Sequence, residues 1–337
     1  MIEFERLEKV AIIAEIGSNH DGKLSQATDL IREAAAAGAD AVKFQLFVPE
    51  KLYPAKVANG GRFRANPKIR SLKKYQLNPD WLPQLKKTAE SAGVDFLCTP
   101  FDPQSAQLLN GLGVKAFKVA SGDLTYKRLL ERICSFNKPI ILSTGMATLK
   151  EIDEAVGLIQ SLTCAPLILL HCVSLYPAQP QTLNLHTIPF LADRYGLPVG
   201  FSDHSTTIES SVAAVALGAR VIEKHVTISR KLKGPDHPFA LELDEFARLV
   251  EAIRNTEAAL GEYTKKVDPK EYPERFWARR GIYAARDIDE GSIVQPSDVM
   301  ELRPAEGISA WEIHQLAGKR LLKNKRAMEA IDREEVR

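Results

Sequence analysis

No stretch of this 337-residue chain reaches about 18 uninterrupted apolar residues, so nothing in it reads as a membrane-spanning helix and no membrane is expected as a partner. An excess of one charge is missing too: 45 Lys and Arg face 43 Asp and Glu, a net +2. That balance leaves no broad footprint for DNA or RNA, and no Lys/Arg stripe is read in the long first part, so nucleic acid is not an expected partner. Cysteine is sparse. Cys98, Cys134, Cys164 and Cys172 have neither zinc nor redox spacing and are read as reduced thiols of a cytoplasmic protein. The opening MIEFERLEKVAIIAEIG places three acidic residues before its first apolar run, the reverse of a secretory leader. With 45% apolar and 26% charged residues, the chain has the composition of a folded globule rather than a disordered one.

What is present is a repeat of alternating short apolar runs and helical periods. The runs are VAIIAEIG, AVKFQLF, DFLCTP, AFKVAS, PIILSTG, LILLHC, PVGFSD and VIEKHV. Between them lie segments of helical period such as LSQATDLIREAAAAGA, LPQLKKTAESAG, LKEIDEAVGLIQSL and TTIESSVAAVALGA, each closing at or near an apolar-to-glycine stop. Continuous apolar strands are buried on both faces, which a parallel sheet wrapped by helices provides. Eight such units over about 250 residues predict an α/β fold of the (β/α)8 TIM-barrel type. A doubly wound sheet would show fewer repeats and a glycine-rich dinucleotide fingerprint, which the sequence lacks. The barrel is expected over residues 1–262, a charged, proline-bearing linker over 263–278, and a small β-rich domain over 279–337, where short strands are broken by Gly and Pro turns. So small a domain has a thin core and is expected to lean on the barrel or on another subunit.

Barrel enzymes carry their chemistry at the C-terminal ends of the strands, and these runs end in polar residues. They are Glu15 with Asn19 and His20, Lys43 with Gln45, Thr99, Lys118 with Ser121, Ser143 with Thr144, His171 and Ser174, Ser202 with Asp203 and His204, and Glu223 with His225. His204 and His225 end the last two strands, so their imidazoles can meet across one strand spacing and suit a divalent first-row metal. Asp203 and Glu223 are expected to orient those rings. Lys43 and Lys118 sit inside apolar runs, where an unpaired ammonium is costly; each needs an anionic partner, a bound phosphate or carboxylate, or a Schiff-base role. GSNHDGKL, Gly17 to Leu24, approaches a P-loop but has Leu24 where magnesium needs a hydroxyl, which excludes nucleotide hydrolysis. Ser143 and Thr144 before Gly145 form a turn whose amides could meet an anion. Asp236 in KGPDHP lies on the loop after the last strand.

The stretches AEIGSNHDG, AVKFQLF, LCTPFD, FKVASGDLT, PIILSTGMAT, LLHCVSLYP, GFSDHS, EKHVT and GPDHPFALE resemble, in order and spacing, the bacterial sialic acid (N-acetylneuraminate) synthase family. The tail resembles that family's C-terminal antifreeze-like (SAF, β-clip) domain. The resemblance implies a transferase that condenses phosphoenolpyruvate with an N-acyl amino sugar such as N-acetylmannosamine, releases phosphate, and uses Mn2+ or alternatively Mg2+ or Co2+. Legionaminic and pseudaminic acid synthases share the motifs and are the alternatives. By this resemblance His204 and His225 hold the metal, while Lys43, Lys118, Ser143 and Ser202 meet phosphoenolpyruvate. Glu15, Gln45, Tyr176 and Asp236 line the sugar pocket, and Thr99, Ser121 and Ser174 complete the substrate-binding set. Glu15, Lys43, Lys118 and Asp236 form the expected catalytic group. Arg303 in ELRPAEG is expected to reach a partner's barrel in a domain-swapped homodimer. Ser174 stands where several relatives have Asn, and Ala305 where the usual pattern has Gly. A Schiff-base aldolase and a non-catalytic sugar or ice binder are the readings set against this one.

Overall fold

A computed structural model describes residues 2–4, 6–59 and 62–337. The chain forms two compact units, Met1–Gly261 and Glu262–Arg337. In the first, the eight predicted runs become eight parallel strands: β1 (Ala11–Gly17), β2 (Ala41–Leu46), β3 (Asp95–Pro100), β4 (Phe117–Val119), β5 (Ile140–Ser143), β6 (Leu167–Cys172), β7 (Val199–Asp203) and β8 (Val221–Thr227). They pair in the order β3-β2-β1-β8-β7-β6-β5-β4, and the two ends of that path, β3 and β4, pack side by side to bring the sheet round into a TIM barrel.

Helices of the expected period follow the strands: α1 (Leu24–Ala36), α2 (Leu82–Ser91), α3 (Pro103–Leu112), α4 (Lys127–Cys134), α5 (Leu149–Leu162), α6 (Thr187–Tyr195), α7 (Glu209–Ala216) and α8 (Leu243–Leu260). Their ends are written locally. Asp102 accepts from the backbone of Gln104 and Ser105 ahead of Pro103, which opens α3. Thr148 and Glu151 close a reciprocal capping box at the start of α5.

Alternation along each strand sorts the core into two. Outward residues such as Ile12, Val42, Phe96, Phe117, Leu142, Leu169 and Ile222 pack with the helices. Inward residues Ala11, Ile13, Ala41, Leu97, Ala116, Ile141, Ile168, Leu170 and Val221 fill the barrel, closed from below by Ile2 and Phe4. Each large apolar side chain so buried contributes roughly 1.5–3 kcal/mol. One period of two residues further along, the inward positions become Glu15, Lys43, Thr99, Lys118, Ser143, Cys172, Ser202 and Glu223, all buried. The apolar layers hold the barrel, and the polar layer above them has no folding reason to be there.

The second unit pairs β9 (Gly281–Ala284) antiparallel with β10 (Val299–Leu302) around a small core of Ile282, Ile288, Val294, Ile308, Leu321 and Ile331. Within the stretch read from sequence as a linker, Tyr272–Ala278 is helical, and Ala305 N donates to Phe276 O.

Candidate active site

The polar layer opens into a cavity of about 670 Å³ at the C-terminal ends of the strands. Its walls carry Glu15, Lys43 and Gln45 from the first two strands, and Lys118, Ser121 and Ser143 from the fourth and fifth. Ser174, Tyr176, Ser202, His204, His225 and Asp236 come from the rest of the ring. Of the fourteen residues given roles by the family resemblance, twelve therefore converge on one space. Thr99 belongs to the same inward layer but does not line the cavity; it is fully buried and accepts from Lys43 Nζ at 3.1 Å. Arg303 lies in the second unit.

At the floor two lysines and two glutamates interleave. Lys43 Nζ is 2.8 Å from Glu15 Oε2 and 3.8 Å from Glu223 Oε2. Lys118 Nζ donates to Ser143 Oγ at 2.7 Å and stands 3.6 Å from Glu223 Oε1. Ser202 Oγ donates to Glu223 Oε1 at 2.9 Å, and Gln45 Nε2 donates to Glu15 Oε1 at 2.6 Å. Burial would raise Glu223, but Lys118 and Lys43 hold it down at about 2, so it is a carboxylate. Burial outweighs Lys43 at Glu15, whose pKa rises, and burial depresses Lys118. Burial would lower Lys43 as well, but Glu15 and Glu223 reverse that and keep it cationic. The cluster is incompletely satisfied: Glu15 Oε2 is close enough to Lys43 to pair but not aligned to hydrogen-bond, and Glu223 Oε2 has no hydrogen bond. Buried oxygens and ammoniums left in this state have capacity for a ligand.

His204 and His225 stand with ring centroids 5.5 Å apart. His204 Nδ1 donates to Val173 O at 3.0 Å, which leaves Nε2 as the nitrogen available to a ligand. Burial lowers the His225 pKa, and its Nδ1 is buried without a hydrogen bond. Two imidazoles placed this way fit a divalent cation. Among the described residues no cluster of three His, Cys, Asp or Glu is present, so the remaining positions of such an ion would belong to water or substrate oxygens. Tyr176 lies over His204 with ring centroids 4.3 Å apart, and Phe239 packs edge-on against His225.

Two glycines are required by this crowding. A Cβ at Gly17, where φ is +52°, would lie 2.9 Å from Asp236 Oδ2 and 3.1 Å from Glu15 Oε1. One at Gly145 would lie 2.5 Å from Ser174 Oγ and 2.8 Å from Ser121 Oγ. Ser121 Oγ instead accepts from Gly145 N at 3.0 Å, and Ser18 donates to Asp236 through both its amide and its hydroxyl, at 3.1 and 2.8 Å. The near-P-loop turn thus serves to place Asp236.

Four expectations are corrected. Asp203 does not orient a histidine: its side chain points outward, pairs with Lys224 at 2.8 Å and accepts from Ser210 and Ser211. Glu223 serves the lysines, and the carboxylate nearest His225 is Asp236, at 3.9 Å. His171 also faces away from the cavity, 2.6 Å from Leu183 O, and Thr144 Oγ1 donates to Leu170 O. Strand alternation accounts for Asp203, His171 and Thr144, each one residue out of phase with the inward set, whereas Glu223 is in phase and is drawn to the lysines that share its layer.

Sequence reasoning passed over one carboxylate. Asp123 lines the cavity from the turn after β4; burial raises its pKa to about 6, and its Oδ2 has no hydrogen bond. Its signal was the position of an acid in SGD, directly after a strand end.

Comparison with known proteins agrees with this geometry. The NeuB family profile matches residues 30–265. N,N'-diacetyllegionaminic acid synthase of Campylobacter jejuni subsp. jejuni is 40% identical, with 96% of this chain and 99% of that protein covered. Human N-acetylneuraminate-9-phosphate synthase is 33% identical over 92% of this chain and 88% of its own. The crystal structure of N-acetylneuraminic acid synthetase from Leptospira borgpetersenii serovar Hardjo-bovis superimposes with a TM-score of 0.74 at 35% identity, covering 80% of this chain and 90% of that one. A barrel rimmed by this set of residues, over nearly the whole length of such synthases, makes the chain an enzyme of the NeuB family.

Proposed function

We propose that the chain is a nonulosonic acid synthase that joins phosphoenolpyruvate to the open-chain form of an N-acyl amino sugar and releases phosphate. The observation that carries this reading is the pair of buried lysines, Lys43 and Lys118, beside two adjacent imidazoles in one cavity. Phosphoenolpyruvate carries close to three negative charges, and charge-assisted contacts from both ammoniums would replace their strained pairing with Glu15 and Glu223. Ser143 Oγ accepts from Lys118, which leaves its own proton free for a phosphate or carboxylate oxygen.

A divalent cation such as Mn2+, held by His204 and His225, would supply Lewis-acid polarisation of the acceptor's carbonyl oxygen. C3 of phosphoenolpyruvate then forms the new bond to that carbonyl carbon, water adds at C2, and phosphate leaves with cleavage of the C2–O bond. Asp123, titrating near 6, can take the proton from the attacking water at neutral pH, and Glu15, whose Oε2 is paired with Lys43 without a hydrogen bond, faces the same space. Gln45, Ser174, Tyr176 and Asp236 line the sugar end. The 40% identity to a synthase named for an N,N'-diacetyl product favours a doubly N-acylated acceptor over N-acetylmannosamine. We further propose that the second unit is an antifreeze-like domain whose Arg303 completes the site of a partner subunit.

The test is phosphate release from phosphoenolpyruvate across a panel of mono- and di-N-acylated hexosamines, with Mn2+ added or chelated. The reading predicts release with at least one member, dependent on metal, and loss of both Mn2+ binding and turnover in His204→Ala. Borohydride trapping of Lys118 or Lys43, with activity surviving chelation, would replace it by a Schiff-base aldolase.

A further inference from the structure

The near-neutral total charge conceals a local imbalance, and the sequence expectation that no basic stripe exists in the first part is corrected here. Residues 51–74, the excursion between β2 and α2, hold eight Lys and Arg and no Asp or Glu, which leaves 37 basic against 43 acidic residues elsewhere. Lys51 pairs with Asp102 at 2.7 Å and Lys73 with Glu50 at 2.5 Å. Lys56, Arg64, Arg70 and Lys74 are exposed, and among the described residues none of them has a carboxylate at ion-pair distance.

This excursion leaves the C-terminal end of its strand, so it lies at the cavity mouth. Leu52 and Tyr53 are part of the cavity wall, and Lys68 Nζ stands 5.0 Å over the Tyr53 ring. Tyr75 Oη lies 3.5 Å from Lys233 O, which joins the excursion to the loop after β8, where Lys231 and Lys233 add two more cations before Pro235 and Asp236 re-enter the cavity. The interior has the opposite balance. Glu15, Asp123, Glu223 and Asp236 line it against Lys43 and Lys118 alone. A trianion approaching through solvent therefore meets an acidic interior whose two lysines are already engaged by carboxylates.

We propose that the basic rim is an electrostatic collector: it gathers the phosphate- and carboxylate-bearing substrate at the mouth and offsets the acidic field of the cavity, without touching the substrate in the reacting complex. The proposal rests on the reading that phosphoenolpyruvate is a substrate. Clefts flanked by charge of one sign raise the capture rate of an oppositely charged ligand by about 10- to 1,000-fold, and salt removes the effect. The neutral sugar feels none of it.

The experiment compares the native enzyme with K56E/R64E/R70E/K74E and with the milder K56Q/R64Q/R70Q/K74Q, in salt from about 10 mM to about 1 M, where the Debye length falls from about 30 Å to about 3 Å. For the native enzyme kcat/KM for phosphoenolpyruvate should fall steeply with salt. The Glu variant should start about tenfold lower at low salt and converge on the native value at high salt, the Gln variant lying between them. The KM for the sugar and kcat at saturation should match in all three. A deficit that persists at high salt, or a salt slope the variants leave unchanged, would overturn the collector. So would a rim whose neutralisation abolishes binding of a short DNA duplex while the phosphoenolpyruvate slope stays native. Absence of phosphate release by the native enzyme with every sugar would instead overturn the substrate reading itself.

Discussion

Two buried ionic clusters sit back to back on the same two strands, and they differ in how completely they are satisfied. On the outside of β7 and β8, Lys224 pairs with Asp203 at 2.8 Å and donates to Ser205 O at 2.7 Å and Thr207 O at 3.0 Å. Asp203 accepts in addition from Ser205 N, Ser210 Oγ and Ser211 Oγ. On the inside, one residue away on each strand, Glu223 and Ser202 belong to the Lys43 and Lys118 cluster, where Glu15 Oε2, Glu223 Oε2 and His225 Nδ1 are left without hydrogen bonds. A buried charge set that satisfies itself is architecture; it fixes the turn after β7 on which His204 rides. One that leaves donors and acceptors open keeps them for a ligand.

That contrast is sharpest under mutation. Lys224→Met should cost roughly 3–5 kcal/mol of stability, because it strands a buried carboxylate. The check is urea unfolding, and a loss below about 1 kcal/mol would undo the assignment of this pair to architecture. Lys118→Met should act in the other direction. It removes a charge-assisted contact of roughly 1.5–3 kcal/mol to phosphoenolpyruvate, raising its KM by about 10- to 150-fold while the unfolding midpoint moves far less. An unchanged KM would reassign Lys118 to a structural pair.

Gly145→Ala should follow, at about 1–3 kcal/mol, since its methyl group must displace Ser174 and Ser121. Stability and substrate KM should both suffer, and an effect on stability alone would remove that turn from the site. The smallest effect is a pH signature. Asp123 has its folded pKa raised to about 6, so keeping it folded costs nothing below the unfolded value near 3.8 and costs most above 6. The stability gain of Asp123→Asn should therefore grow between about pH 4 and 6 and be flat above, and the acid limb of the rate profile near 6 should vanish. Asp203, held low by Lys224 and the serines against its burial, has the opposite sign: its stabilisation is complete above the unfolded value and fades as pH falls toward its depressed folded one. Matching pH dependences for Asp123→Asn and Asp203→Asn would erase the distinction between the two faces.

Much of this was written in the chain itself. Runs that are apolar without a break, spaced by helical periods with their own caps, dictate a parallel barrel, because only a sheet covered on both faces buries them. The polar endings of those runs followed at once, and twelve of the fourteen residues given roles by the family resemblance line one cavity. What the sequence by itself could not decide was phase. In a strand buried on both sides, neighbouring residues look alike, so Ser202 and Asp203, or Glu223 and Lys224, could not be told apart as inward or outward. Closure of the barrel made that choice. It also linked residues as far apart as 15, 43, 223 and 118 into a chain of ion pairs under 4 Å and collected the charges of two distant excursions at one mouth. Such distances depend on strand order and register, which are properties of the whole sheet and of no single segment.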